Sequence, residues 1–158
     1  MFNSVEYFET LTNSLKLTKN KFVSRKVSGI KNLEGIISDR GNEKFIAVDD
    51  TDDGNTYQGA GGGWFRRRTV TVFILQKYMI TDMNDRQIKL DECREIRRKF
   101  QARILFDSVE IEELMYLDKQ RMPDFEIDEY FANGSTGLYF MISFNEPTEL
   151  IHDDNDWE

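Results

Sequence analysis

The chain has 158 residues, a net charge of −8, 39% hydrophobic and 13% aromatic residues. That suits one domain with a real core and excludes a disordered chain. One cysteine (Cys93) and one histidine (His152) exclude a disulfide framework, a cysteine zinc site and most His-based metal sites, and they argue against a His-dependent triad.

Asn3 followed by Glu6 resembles a capping box, and Val5, Phe8, Leu11 (or Thr12) and Leu15 form one stripe, predicting a helix over 3–17. Residues 28–40 carry helical spacing weakened by Gly29 and Gly35, with Gly41 as C-cap; a strand pair around 22–27 competes with that reading. Residues 44–48 read as a short strand. Residues 49–63 hold Asp49, Asp50, Asp52, Asp53 and five glycines without apolar periodicity, which predicts a long loop. The strongest strand is centred on 69–75, β-branched and apolar on both faces, so a central position is expected. It can pair with 45–48 as a hairpin whose long connection projects outward.

After a polar turn at 81–86, residues 87–106 read as the second strong helix, with Ile88, Cys93, Ile96, Phe100 and Ile104 on one face. Its acidic residues come early and its arginines late, as the helix dipole favours. Residues 107–122 are ambiguous. Residues 125–131 and 138–144 read as strands joined by a turn at 133–137, and 146–158 as an acidic tail. The expected fold is α+β: a mostly antiparallel or mixed sheet of about four strands, with two main helices packed on one face. The expected organisation is a single domain over 1–145, with a projecting arm at 49–68, followed by the tail at 146–158. The polar first 20 residues and the short apolar runs predict no signal peptide and no membrane span. With the free cysteine, this suggests synthesis in a reducing cytoplasm.

Charge is unevenly spread. Residues 1–63 carry 8 Lys/Arg against 9 Asp/Glu, 64–103 carry 11 against 5, and 104–158 carry 2 against 15. A basic middle and an acidic end allow one copy's basic face to meet another's acidic face. The alternative is neutralisation within one monomer.

The aspartate run is the best metal candidate. With Gly54 on the invariant glycine of an EF-hand loop, Thr51 takes the third position and Ala60 replaces the bidentate glutamate, so that reading fails. The stretch from Gly59 to Gly63 precedes a strand and lacks a following Gly-Lys-Ser/Thr, unlike a phosphate loop. Trp64, Phe65, Arg66, Arg67 and Arg68 join aromatics to a basic run, suited to an acidic protein surface or to nucleic acid. Arg94, Arg97 and Arg98 are a solvated face or an inter-subunit rim, and Asp153, Asp154 and Trp157 supply an acidic contact with an aromatic anchor. No catalytic residue, metal or cofactor is assigned.

The order of an N-terminal helix, a strand, a long projecting loop, a long apolar strand, an amphipathic helix and C-terminal strands resembles the tail-terminator and tail-completion proteins of tailed bacteriophages. The resemblance is carried by residues 5–15, 45–48, 69–75, 88–104 and 138–144. It implies a non-enzymatic virion protein, a subunit of a homo-oligomeric ring at the tail–neck junction that contacts other neck and tail proteins and faces passing DNA. The alternatives are a soluble acidic binding or inhibitor protein and a metal-dependent hydrolase using the residues from Asp49 to Asp53.

Overall fold

The computed structural model describes residues 1–39, 44–49, 51–127 and 134–157. Helix α1 (Ser4–Ser14) starts where the capping box places it: the Asn3 side chain accepts from the Glu6 N–H at 3.2 Å and donates to the Glu6 carboxylate at 3.1 Å. Strand β1 (Phe22–Val27), helix α2 (Gly29–Asp39) and strand β2 (Lys44–Asp49) follow, with β1 and β2 parallel, so both competing readings of 22–40 hold in succession. Gly41, the expected C-cap, lies outside the described residues.

The segment expected to be a long loop contains strand β3 (Asp53–Gln58), antiparallel to the first half of β4 (Trp64–Lys77). The second half of β4 pairs with β2. Val48 sits opposite Val72 and Asp53 opposite Thr69, so β2 and β3 follow one another along the same side of β4. The arm is therefore a hairpin. The Gly59 N–H donates to the Gly63 carbonyl at 2.8 Å, and Gly62 turns the chain with φ of +85°.

Helix α3 (Met83–Asp107) begins four residues before the expected start, because Asp82 caps it by accepting from the N–H groups of Asn84 and Asp85. Its buried stripe is Leu90, Cys93, Ile96, Phe100, Ile104 and Asp107; Ile88, expected on that face, is exposed. The ambiguous 107–122 stretch holds a 3-10 turn at Glu112–Leu114 and an isolated bridge from Leu117 to Phe144. Strand β5 (Asp124–Glu126) and strand β6 (Ser135–Pro147) complete the sheet; the expected strand residues 128–131 lie outside the described set.

The sheet is mixed, in the order β1-β2-β4-β6-β5, with β3 beside β4. Among the described residues it has six strands where about four were expected; α1 and α3 are the two expected main helices, and α2 lies in the weaker helical stretch expected over 28–40. Alternation along β4 sends Val70, Val72 and Ile74 to one face and Phe73 and Leu75 to the other. α1 and α3 cover the first face, packing Phe8, Phe100 and Phe140 together; α2 covers part of the second through Leu33 and Ile37. Burial on both faces accounts for the uninterrupted apolar run of β4. None of the described helices is long and apolar enough to cross a membrane.

Candidate interaction surfaces

The arm is three strands wide where β6 runs beside β4 as far as the pair Phe65–Pro147. The outer side of β6 is covered: Met141 N–H donates to the Pro123 carbonyl, Asp118 N–H to the Ser143 carbonyl, and Asn145 N–H to the Tyr116 carbonyl. The outer side of β3 pairs with no strand among the described residues. A free edge of this kind presents unpaired backbone donors and acceptors to a partner.

The three consecutive arginines alternate across the sheet and meet three different environments. Arg66 reaches the Asp52 carboxylate at 3.1 Å. Arg67, on the opposite face, donates to Asp118 at 3.0 Å and to Asn145 Oδ1 at 3.2 Å, which also accepts from the Tyr57 hydroxyl. Its guanidinium holds the Asp118 carboxyl below the usual range. Arg68 is only 7% exposed. It donates to the Phe2 carbonyl at 3.2 Å, faces Glu146 at 3.4 Å and lies over the Phe144 ring. Arg68 is thus a structural residue that pins the N-terminus to the sheet. Phe65 stacks on Tyr57, its cross-strand partner, and Trp64 stays 41% exposed beside the turn.

Arg94 grips Glu126 with two hydrogen bonds and also binds Asp91; Arg97 binds Asp124. These contacts tie α3 to β5, and the paired groups shift as a salt link demands, with the Glu126 carboxyl lowered and the Arg94 guanidinium raised, each chiefly by their mutual hydrogen bonding. Arg98 binds Glu95 on its own helix. Adding Arg67–Asp118, Arg68–Glu146 and Arg103–Asp107, five links among the described residues join the basic middle to the acidic end within one chain. Of the two readings of the charge pattern, these links show that part of the charge is neutralised inside the monomer.

The tail leaves the sheet with the Thr148 N–H bonded to the Trp64 carbonyl at 3.0 Å. Asp153 caps a 3-10 turn at Asp154–Asp156. His152 bonds Asp154 and stacks on Trp157, which is 70% exposed, while Leu150 and Ile151 are exposed as well.

In the aspartate run, the Asp49 carboxylate accepts from the N–H groups of Thr51 and Gly29, bracing the end of β2 against the start of α2. Asp52 pairs with Arg66, Asp53 lies exposed on β3, and Asp50 is outside the described residues. Among the described residues, no three His, Cys, Asp or Glu side chains are grouped to hold a metal ion. Cys93 is buried against α3's neighbours, and burial pushes its thiol up to about 12.

One cleft was not expected from sequence. It holds about 570 Å³ between α1 and the second half of α3, with Phe2, Leu11, Leu15, Phe100 and Ile111 as apolar lining. At its wall the Tyr7 hydroxyl donates to Asp107 at 2.7 Å and Arg103 donates to the same carboxylate at 2.9 Å. Burial, reinforced by that carboxylate, drives the Tyr7 phenol far above its ordinary value. The Arg103–Asp107 spacing of four residues was the available sequence signal; the partnership with Tyr7, 100 residues away, was not readable.

No protein-family model matches the chain, and no curated protein or solved structure does so significantly.

Proposed function

We propose that this chain is a structural assembly subunit that acts through protein–protein contacts and catalyses no reaction, and that its place is a ring at the tail–neck junction of a tailed phage. The observation that carries the reading is the arm: a β3–β4 hairpin whose outer edge pairs with no strand among the described residues, with an exposed Trp64 at its turn. A free edge and an aromatic anchor are the elements by which one rigid subunit engages a neighbour. The ring position rests on the resemblance in element order, with the hairpin standing where the family carries its projecting loop. Closed rings form by head-to-tail contacts between two different surfaces, and here those are the arm-and-tail region and the helical face, rather than the basic and acidic segments as wholes.

The test is association with particles. The intact chain is expected to co-purify with tailed particles. Trp64→Ala combined with Arg66→Ala is expected to fold normally and fail to incorporate. Normal incorporation of that variant would refute the arm as the contact.

A further inference from the structure

The ladder fixes which backbone groups of β3 are left over. On β6, the N–H groups of Met141 and Asn145 donate away from β4, to the carbonyls of Pro123 and Tyr116. Thr71 and Arg67 stand opposite them, and in an antiparallel ladder such a pair turns its backbone groups outward on both strands. Arg67 therefore directs its N–H and C=O to β3, where Asn55 faces it. Alternation along the strand then points Asp53, Asn55 and Tyr57 at β4 and leaves the N–H and C=O of Gly54, Thr56 and Gln58 on the outer side. No described residue bonds those outer groups. The other outermost strands of the sheet are guarded against pairing. β1 carries Arg25 and Lys26, and β5 is three residues long and held to α3 by Arg94 and Arg97. β3 is six residues long, with no lysine, arginine or proline, and its one charge is Asp53 at the end. Charges, prolines and short length keep an edge from pairing, and β3 has only that terminal aspartate.

We propose that the outer edge of β3 pairs with the same edge of a second copy, antiparallel about a two-fold axis at Thr56. The strand's own pattern selects this occupant. The outward residues 54, 56 and 58 are symmetric about Thr56. In this register Thr56 faces Thr56 of the second copy, and Gly54 and Gln58 face its Gln58 and Gly54. Each outward N–H and C=O thus meets its complement on an outward residue. Asn55 faces Tyr57 of the second copy and Asp53 faces its Gly59, so no like charges oppose one another. Paired threonines are themselves favourable across strands. The result is one sheet running through two copies. A two-fold contact makes a pair and stops. It is separate from the head-to-tail contact that closes a ring, goes beyond the ring reading and does not rest on it.

The test is sedimentation equilibrium of the full chain over a range of concentrations. The parent is expected to weigh twice its 18.6 kDa chain mass, with little effect of salt, because the facing residues are uncharged apart from Asp53. Thr56→Pro removes an N–H that points out of the monomer, at an edge position where proline is tolerated. Its circular dichroism should match the parent, and its dimerisation should be at least tenfold weaker. Thr56→Cys should be captured as a covalent dimer by a short bis-maleimide, since the axis sets the two thiols side by side and Cys93 is buried. Gly61→Cys, in the turn and on opposite sides of that axis, should not. A parent that is monomeric at every concentration overturns the proposal. So does a dimer unchanged by Thr56→Pro, or capture as efficient at Gly61→Cys as at Thr56→Cys. A monomeric parent whose incorporation into particles is lost with Thr56→Pro also overturns it, and gives the edge to a strand of another protein. A Thr56→Pro-sensitive dimer that never joins particles supports this contact and refutes the ring reading alone.

Discussion

Arg94 holds both oxygens of Glu126, at 2.6 and 2.9 Å, across 32 residues of sequence. With Arg97 on Asp124, this fastens the short, exposed strand β5 to α3. Both partners are more than a third exposed, so solvent screens the pair and its worth is at most about 1 kcal/mol. Glu126→Gln should lower stability by no more than that in urea unfolding. Hydrogen exchange along 124–126 should nevertheless accelerate, because the fastening is local.

Arg68 and Arg66 are neighbours in sequence with opposite roles. Arg68→Ala removes the anchor of the Phe2 carbonyl, uncovers Phe144 and leaves Glu146 without its cation. A loss of about 3 kcal/mol is expected, as for breaking a buried ion pair. Arg66→Ala gives up one exposed pair with Asp52 and should cost less than about 0.5 kcal/mol. Thermal unfolding of the two variants separates them, and equal losses would contradict the burial of Arg68. Replacing all three arginines together would therefore confuse folding with assembly.

Tyr7→Phe deletes the hydrogen bond to Asp107 and should cost about 1 kcal/mol at neutral pH. The Tyr7 phenol is raised in the folded state. Its contribution is therefore complete below the ordinary tyrosine value, about 10, and is lost as pH climbs above it, where the unfolded chain releases the proton first. The difference in urea midpoint between the parent and Tyr7→Phe should thus be constant from pH 7 to 9 and shrink at higher pH. A difference that widened would contradict the assignment.

Gly137 has φ of +147°, and a methyl group there would fall 1.9 Å from the Ile74 carbonyl oxygen. Because Gly137 lies opposite Leu75 in the central β4–β6 ladder, Gly137→Ala should destabilise by at least about 2 kcal/mol, since strain and a backbone clash combine. Gly61→Ala, in the open turn, meets nothing and serves as the control in the same unfolding experiment.

The elements legible in sequence were those whose own residues state their environment. The Asn3–Glu6 box, the apolar run of β4 and the stripe of α3 all carry local signals. β3 did not: residues 53–58 are polar because the strand lies exposed at an edge, and its pairing depends on backbone bonds to β4 that leave no hydrophobic period. Ile88 misled for the converse reason, matching the helical spacing while facing solvent. Of the candidate contacts, Trp64 and Trp157 are exposed and Arg66 lies at the surface, while Arg68 turned inward because Phe2 and Phe144, distant in sequence, enclose it. The cleft was hidden for the same reason, being made only when α1 packs beside α3.

Assembly with copies of itself and with neighbouring virion proteins is the function proposed for this chain. Electron microscopy of tailed particles from the source encoding the chain, with the chain carrying an epitope label, tests it most directly. A ring of label at the head-proximal end of the tail, lost with Trp64→Ala and Arg66→Ala, is the predicted result. Unlabelled particles alongside an abundant, unassembled monomer in the same lysate would contradict it.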